Sequence, residues 1–100
     1  MRLDIDLHFA WSPPSGRIKA TYRAEVIRYE PEGHRDVCRL IELVGIQRAG
    51  PADEITDEML RGLVGKCARV PHEALDSDVI LPLKVSTLTG GLRRPYFFDE

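Results

Sequence analysis

The sequence predicts an α+β domain: an antiparallel β-meander of about four or five strands with one amphipathic helix packed on the sheet. Three patterns predict it: an N-terminal alternation of apolar and polar residues, two long strand-like segments around a turn, and one apolar stripe at helical spacing. A small, mostly β barrel with one helix is the alternative. The length of 100 residues and mass of 11.3 kDa fit a single domain over residues 1–100 with one core.

The first eleven residues alternate with a period of two. Even positions carry Arg2, Asp4, Asp6 and His8. Odd positions are all apolar: Met1, Leu3, Ile5, Leu7, Phe9 and Trp11. Because successive side chains of a strand point to opposite faces, this pattern predicts a half-buried strand. The Ser-Pro-Pro-Ser-Gly segment over 12–16 then predicts a hairpin loop.

Residues 17–30 and 34–47 are predicted as two long strands. The connection between them contains Pro31 and Gly33, which favours a type I turn with Gly33 in the left-handed region. These two strands would form the central hairpin of the sheet.

The register of this hairpin is predicted from charge. In one register, the numbers of two residues that face each other across the hairpin add up to 64. Glu25 then faces Arg39 and Arg28 faces Asp36, so both pairs have opposite charges. A sum of 63 would place Arg28 opposite Arg35, and like charges directly opposite each other are destabilising. The sequence therefore favours the first register.

The second half of the chain contains the predicted helix. Thr56 is a suitable N-cap, and Gly65 is the expected stop. The apolar stripe recurs at a spacing of four: Ile55, Met59, Leu63 and Cys67. Further predicted elements are a short strand over 66–70, one helical turn over 72–75, and a strand over 79–88 in which Pro82 favours an edge position.

The composition and charge of the chain argue against several classes of function. Fourteen basic and sixteen acidic residues give a net charge of −2, so there is no global attraction to nucleic acid or anionic lipid. Apolar runs are too short to span a bilayer, and charges interrupt the N-terminal apolar stretch, so we expect no secretory signal. Two cysteines are too few for a disulfide scaffold, which favours the cytoplasm. Eleven of the fourteen basic residues are arginine, a bias typical of GC-rich bacterial genomes.

The leading functional expectation is a bacterial cytoplasmic accessory or protein-interaction domain that forms a homodimer. Both faces of the central hairpin carry apolar residues, while one helix is available to cover them. Ile27 and Val37 lie on the second face and are candidate interface residues. The C-terminal aromatics Tyr96, Phe97 and Phe98 are expected to dock, either on their own sheet or on a partner subunit, because exposed aromatic clusters promote aggregation.

The first alternative is binding of single-stranded nucleic acid or another anion. One face of the hairpin carries several cations beside Tyr29: Arg17, Lys19, Arg23, Arg35 and Arg39. Basic, aromatic-bearing sheet faces hold single strands by phosphate contact and base stacking. Arg93 and Arg94 follow a Ser/Thr/Gly loop that could cradle a phosphate, although a surface loop is the favoured interpretation of this segment.

The second alternative is a metal-dependent or hydrolytic enzyme. Four residues form a candidate zinc set: His34, Cys38, Cys67 and His72. Their spacing lacks a Cys-x2-Cys knuckle, and buried core thiols, a disulfide or a reactive thiol are the other interpretations. Asp4, Asp6 and His8 share one strand face, which suits either a metal or simple hydration. An enzyme is less favoured, since no nucleophile, base and orienting group are recognisable together.

Overall fold

Six strands form one sheet, dominated by antiparallel pairs, that curls into a half-barrel. The structure is a computed structural model and describes residues 4–76, 78–90 and 94–100. The strands are β1 (Asp4–Trp11), β2 (Arg17–Glu30), β3 (Arg35–Ala49), β4 (Cys67–Pro71), β5 (Ile80–Leu83) and β6 (Phe97–Phe98). Their order across the sheet is β5-β1-β2-β3-β4-β6, and β5 runs parallel to β1.

The helices are shorter than the sequence predicts. The described chain has two, α1 (Asp57–Arg61) and α2 (Ser86–Thr89), together with 3₁₀ turns at Pro31–Gly33 and His72–Leu75. Thr56 caps α1 by accepting a hydrogen bond from the Met59 amide at 3.1 Å. The prediction of a four- or five-stranded meander with one amphipathic helix is therefore not confirmed. The fold is a small, sheet-dominated domain, and the predicted α+β class describes it only approximately.

Glycines explain why the predicted helical stripe is divided. Gly62 caps α1, and Gly65 has a φ of +93°, a left-handed conformation that a helix cannot continue through. The chain therefore turns after Arg61, and Cys67 lies in β4 rather than on the helix. Ile55, Leu60 and Leu63 still reach the core from this turn region.

Three β-bulges curl the central hairpin. The pairing of β2 with β3 skips Ile27, Ile41 and Val44, and each extra residue bends its strand and increases the twist. The register predicted from charge is confirmed at Glu25, which faces Arg39. Beyond the bulges it is wrong: Arg28 faces Val37 instead of Asp36, and Tyr29 faces Asp36.

The turn between β2 and β3 also differs from the prediction. His34, and not Gly33, adopts the left-handed conformation, with a φ of 49°. The His34 amide donates to the Pro31 carbonyl at 3.2 Å, which closes a 3₁₀ turn. Histidine is among the residues that tolerate this region better than most. The turn therefore ends with an imidazole at the tip of the hairpin.

The core lies on the concave side of the half-barrel. Phe9 is fully buried, and its ring lies within 6.3 Å, centroid to centroid, of four other rings: Trp11, Tyr22, Tyr96 and Phe97. Two polar groups of this aromatic cluster, the Tyr22 hydroxyl and the Trp11 indole nitrogen, have hydrogen-bond partners. The Tyr22 hydroxyl donates to the Leu60 carbonyl at 2.6 Å, and Trp11 Nε1 donates to Thr87 Oγ1 at 2.8 Å.

The C-terminal segment docks on its own sheet. Phe97 and Phe98 pair with Ala68 and Cys67 of β4, and Phe97 is buried in the core. Beyond β6, Lys66 Nζ donates to Asp99 at 2.9 Å, and Arg28 pairs with Glu100. Of the helices that the structure describes, neither has the length and apolar character required to cross a bilayer.

Candidate functional site

Ionisable side chains gather at the tip of the β2–β3 hairpin. Tyr29 comes from the end of β2, His34 from the turn and Asp36 from the start of β3. His72 and Glu73 come from the 3₁₀ turn that follows β4. A backbone hydrogen bond of 3.0 Å, from the His72 amide to the His34 carbonyl, ties these segments together.

His72 is oriented by a buried carboxylate. Its Nδ1 lies 2.7 Å from Asp36 Oδ2, and Asp36 is only 2% exposed. A carboxylate only accepts hydrogen bonds, so Nδ1 carries the proton in this contact. The His72 side chain is 47% exposed. Its Nε2 is therefore left to accept a proton from a ligand.

His34 lies beside this pair and has different partners. Its Nδ1 is 2.7 Å from the Tyr29 hydroxyl, and its Nε2 is 3.5 Å from Glu73 Oε1. The two imidazole centroids are 5.1 Å apart, and the Tyr29 ring is 5.2 Å from that of His72. We call these five residues, Tyr29, His34, Asp36, His72 and Glu73, the histidine cluster.

A groove of about 830 Å³ adjoins the histidine cluster and shares Tyr29 with it. We call it the arginine groove. It is lined by Tyr29, Glu30, Pro31, Glu32, Gly33, Arg35, Arg69, Arg94, Pro95, Tyr96 and Phe98. The Arg69 guanidinium carbon lies 4.7 Å from the centroid of the Phe98 ring, a cation–π geometry. The groove thus combines cations with aromatic faces.

The charge in the groove is organised around Glu30. Its carboxylate lies 2.9 Å from Arg69 Nε, 3.6 Å from Arg28 Nε and 3.9 Å from a terminal nitrogen of Arg35. The hydrogen bond from Arg69 is the largest of the effects that hold the pKa of Glu30 below its usual value. Glu100 also pairs with Arg28, so these three guanidinium groups share two carboxylates and keep an excess of positive charge. The groove lining has three arginines and two glutamates, an excess of one positive charge.

The predicted zinc set is brought together only in part. His34 and His72 are neighbours, whereas Cys38 and Cys67 are buried free thiols in adjacent strands. Within the described residues, no group of three or more His, Cys, Asp or Glu side chains is arranged to hold a metal. The two histidines are partnered by Tyr29, Asp36 and Glu73 instead of by the cysteines.

Burial makes the thiols poor nucleophiles. It raises the pKa of Cys38 to about 12, with smaller contributions from Asp36 and Cys67. Burial also raises the pKa of Cys67. Because the thiolate is the reactive form, neither side chain suits nucleophilic catalysis at neutral pH.

These raised values make stability fall in alkali. A thiol whose pKa is higher in the folded state stabilises the fold below its unfolded pKa of about 8.5, and this stability is lost as the pH rises above that value. We expect Cys38 alone to lower the free energy of unfolding by roughly 1 kcal/mol by about pH 9.5. Guanidinium denaturation at neutral and alkaline pH measures this loss, and Cys38→Ala should reduce it. An identical loss in that variant would contradict the assignment.

The predicted basic sheet face is largely neutralised. Arg23 pairs with Glu42 at 3.3 Å, and Arg39 pairs with Glu25 at 3.2 Å. Arg35 belongs to the arginine groove, as does Arg94, while Arg93 lies outside the described residues. Arg17 is exposed and Lys19 is half-buried on β2, near a smaller hollow of about 420 Å³ at the opposite end of the sheet. The cations therefore divide between two ends of the molecule.

The candidate interface residues are mostly covered by their own chain. Val37 is fully buried, Ile27 is half-buried at a bulge, and Phe97 is in the core. Tyr96 and Phe98 are half-buried and line the arginine groove. The aromatic tail thus contributes to the fold and to the groove.

The remaining candidate set, Asp4, Asp6 and His8, lies along β1 opposite β2. His8 Nδ1 is 2.7 Å from Thr21 Oγ1. Asp4 and Asp6 are exposed, and in the described part of the chain they belong to no group of three or more side chains that could hold a metal ion. Hydration of a strand face is sufficient to account for this alternation.

Sequence analysis misses Asp36, Glu73 and Arg69 as site residues. A signal was present for the first of these, because Asp36 follows His34 by two residues, and alternate residues of a strand lie on the same face. The pairing of β3 with β4, which brings His72 to Asp36, has no short-range signature in the chain. Comparison with family models, curated proteins and solved structures finds no match, so the function of this site is inferred from its chemistry.

Proposed function

We propose that the protein binds single-stranded nucleic acid in the arginine groove. The observation that carries this proposal is the convergence of three arginines and three aromatic rings on one concave surface. Guanidinium groups contact phosphates, and aromatic faces stack on bases whatever their sequence. A protein with a net charge of −2 needs such a local site, because its overall charge repels a polyanion.

Exposure of the aromatic residues supports stacking. Tyr29 is 45% exposed, so part of its side chain is accessible to a ligand. Phe98 is half-buried, and Arg69 lies against its ring. A base that stacks on either ring would bring its phosphate near Arg35 or Arg69, since both line the same groove.

Salt-dependent binding tests the proposal. A fluorescently labelled single-stranded oligodeoxynucleotide is titrated with the protein while anisotropy is recorded at several salt concentrations. We expect the double variant Arg35→Gln/Arg94→Gln to weaken binding at low salt by about tenfold. It should also reduce the slope of log K against log salt by about 1.4, because each phosphate contact to a single strand contributes about 0.7.

The matched control is Arg17→Gln/Arg23→Gln, which removes the same charge from the part of β2 outside the groove. This control should retain most of the affinity and the slope. Equal weakening in both double variants would show diffuse electrostatic attraction instead of a groove. No binding of the unaltered protein, even at low salt, would refute the proposal.

A homodimeric interaction domain is the second candidate. The observation that favours it is the outer side of β3 beyond Leu40, which pairs with no other strand of the described chain and exposes 56% of Val44. Open strand edges are templates for pairing with another chain. The bulges at Ile41 and Val44 oppose it, since they twist the edge away from a flat partner. Native mass spectrometry of untagged protein tests it: a dimer supports this candidate, and a monomer at all concentrations contradicts it.

A further inference from the structure

The two histidines of the cluster have partners that suit complementary roles in proton transfer. His72 has Nδ1 engaged by Asp36, which leaves Nε2 as an acceptor. His34 has one nitrogen at the Tyr29 hydroxyl and the other facing the Glu73 carboxylate at 3.5 Å. The Glu73 carboxylate only accepts hydrogen bonds, whereas the Tyr29 hydroxyl can accept or donate them, so Nε2 is the nitrogen of His34 whose partner favours a bound proton. One ring is therefore arranged as a base and its neighbour as an acid.

The groups of the cluster suit proton transfer, and its one hydroxyl, that of Tyr29, lies 2.7 Å from His34 Nδ1. Among the described residues, the side chains that hydrogen-bond or pair with the two imidazoles are the Tyr29 hydroxyl and the carboxylates of Asp36 and Glu73. The thiols of Cys38 and Cys67 are buried, and burial keeps them protonated. A substrate that brings its own nucleophile suits such a site, because it needs only an acid and a base from the protein. RNA does so, because each ribose carries a 2′-hydroxyl next to the phosphate.

Resting on the proposed binding function, we infer that His34 and His72 cleave RNA held in the arginine groove. Tyr29 belongs to both the arginine groove and the histidine cluster. An RNA strand that stacks on its ring therefore passes beside the two imidazoles. The ring centroids are 5.1 Å apart, which lets both reach one phosphodiester. Arg35 follows His34 directly in the chain and is placed to contact the charged phosphate.

The reaction balances without a further reactant. His72 Nε2 takes the proton of the 2′-hydroxyl, and the 2′-oxygen forms a bond to phosphorus. The bond between phosphorus and the 5′-oxygen breaks, and His34 Nε2 gives its proton to that oxygen. Glu73 is well exposed, so the leaving oxygen can replace it beside His34. The products are a 2′,3′-cyclic phosphate and a 5′-hydroxyl, and water then restores the two protonation states.

Cleavage of a labelled single-stranded oligoribonucleotide, followed by mass spectrometry of the products, tests this inference. We expect fragments ending in 2′,3′-cyclic phosphate, and His72→Asn should slow their formation at least 100-fold. His8→Asn is the matched control, because His8 lies on β1 and contacts Thr21. It should cleave at the unaltered rate. His34→Asn is a second variant in case His72→Asn does not fold, which circular dichroism shows.

Asp36 is a positioning residue that orients the His72 imidazole. A substitution of similar shape tests this role without removing the side chain from the fold. Asp36→Asn keeps the shape of the side chain but replaces one acceptor oxygen by an amide NH2 that donates, so the side chain no longer fixes the His72 tautomer. We expect it to lower kcat by about tenfold or more and to leave KM nearly unchanged, since Asp36 is buried and does not reach the substrate. A loss confined to KM would contradict this role.

The outcomes distinguish the inference from the proposed function. Binding of the oligodeoxynucleotide together with no cleavage of the ribo-oligonucleotide overturns the inference and leaves the binding proposal standing. Absence of binding overturns both. Cleavage that persists unchanged in both His34→Asn and His72→Asn identifies a co-purifying nuclease and overturns the inference. Products that end in a linear 3′-phosphate from the first turnover, or cleavage of the deoxy strand, also contradict it.

Discussion

Replacement of Phe9 by alanine is expected to destabilise the protein by about 3–5 kcal/mol. Phe9 is fully buried in the centre of the concave face, and four aromatic rings surround it. Truncation removes the transfer free energy of the ring and leaves a cavity that is hard to close, because uninterrupted ladders hold β1 between β2 and β5. Since domains of this size are stable by only about 5–15 kcal/mol, the variant should lose much of its stability.

Urea denaturation measures this change. The matched control is Val44→Ala, which shortens an apolar side chain that is more than half exposed on β3. We expect the control to change the free energy of unfolding by less than about 0.5 kcal/mol. A loss below about 1 kcal/mol for Phe9→Ala would contradict the proposed centre of the core.

Replacement of Phe97 by alanine is expected to cost about 3 kcal/mol. Phe97 is the residue through which the C-terminal segment enters the core, with its ring centroid 5.4 Å from that of Phe9 and 4.9 Å from that of Tyr96. Its strand contributes only two paired positions to the sheet. Side-chain burial must therefore supply most of the stabilisation that holds the segment in place.

The same denaturation experiment on Phe98→Ala provides the comparison. Phe98 points away from the core cluster and packs against the Arg69 guanidinium, so its loss should cost less than that of Phe97. If the tail instead served a partner subunit, Phe97→Ala would leave monomer stability unchanged and would dissociate a dimer. That result would contradict the docking of the tail on its own sheet.

The strands were predictable because their signals are local. The alternation in the first eleven residues and the Pro and Gly residues of the turns correspond to β1, β2 and β3. The short strand and helical turn predicted after Lys66 are present as β4 and the 3₁₀ turn at His72–Leu75. The edge position of Pro82 is confirmed, since β5 ends the sheet, but the strand predicted over 79–88 is only Ile80–Leu83 and is followed by α2. Each of these features depends on a few neighbouring residues.

The predictions that failed concern long-range geometry. The apolar stripe at spacing four is compatible with a helix, but tertiary packing divides it between a short helix, a turn and a strand. Bulges at Ile27, Ile41 and Val44 shift the register between β2 and β3. Their positions depend on how the whole sheet curls, so they could not be predicted from pairs of opposite charges. The parallel pairing of β5 with β1 is also a tertiary outcome.

The histidine cluster shows the same division. His34 and His72 were singled out by residue type, and the structure brings them together, but with Tyr29 and Asp36 as partners instead of the cysteines. The change follows from position along β3, because Cys38 lies two residues beyond Asp36 and further from the hairpin tip, where neighbouring strands cover it. Residue chemistry indicated the candidates, and the β3–β4 register decided which of them meet.

Mapping the bound strand by nuclear magnetic resonance tests the central claim most directly. Isotope-labelled protein is titrated with a short single-stranded oligodeoxynucleotide, which lacks the 2′-hydroxyl and stays intact under the proposed reaction. We expect amide shifts to concentrate at residues 29–36, 69–73 and 94–98, the segments that form the arginine groove and the histidine cluster. Shifts confined to the basic positions on β2 around Arg17 and Arg23, or no shifts at low salt, would contradict the account.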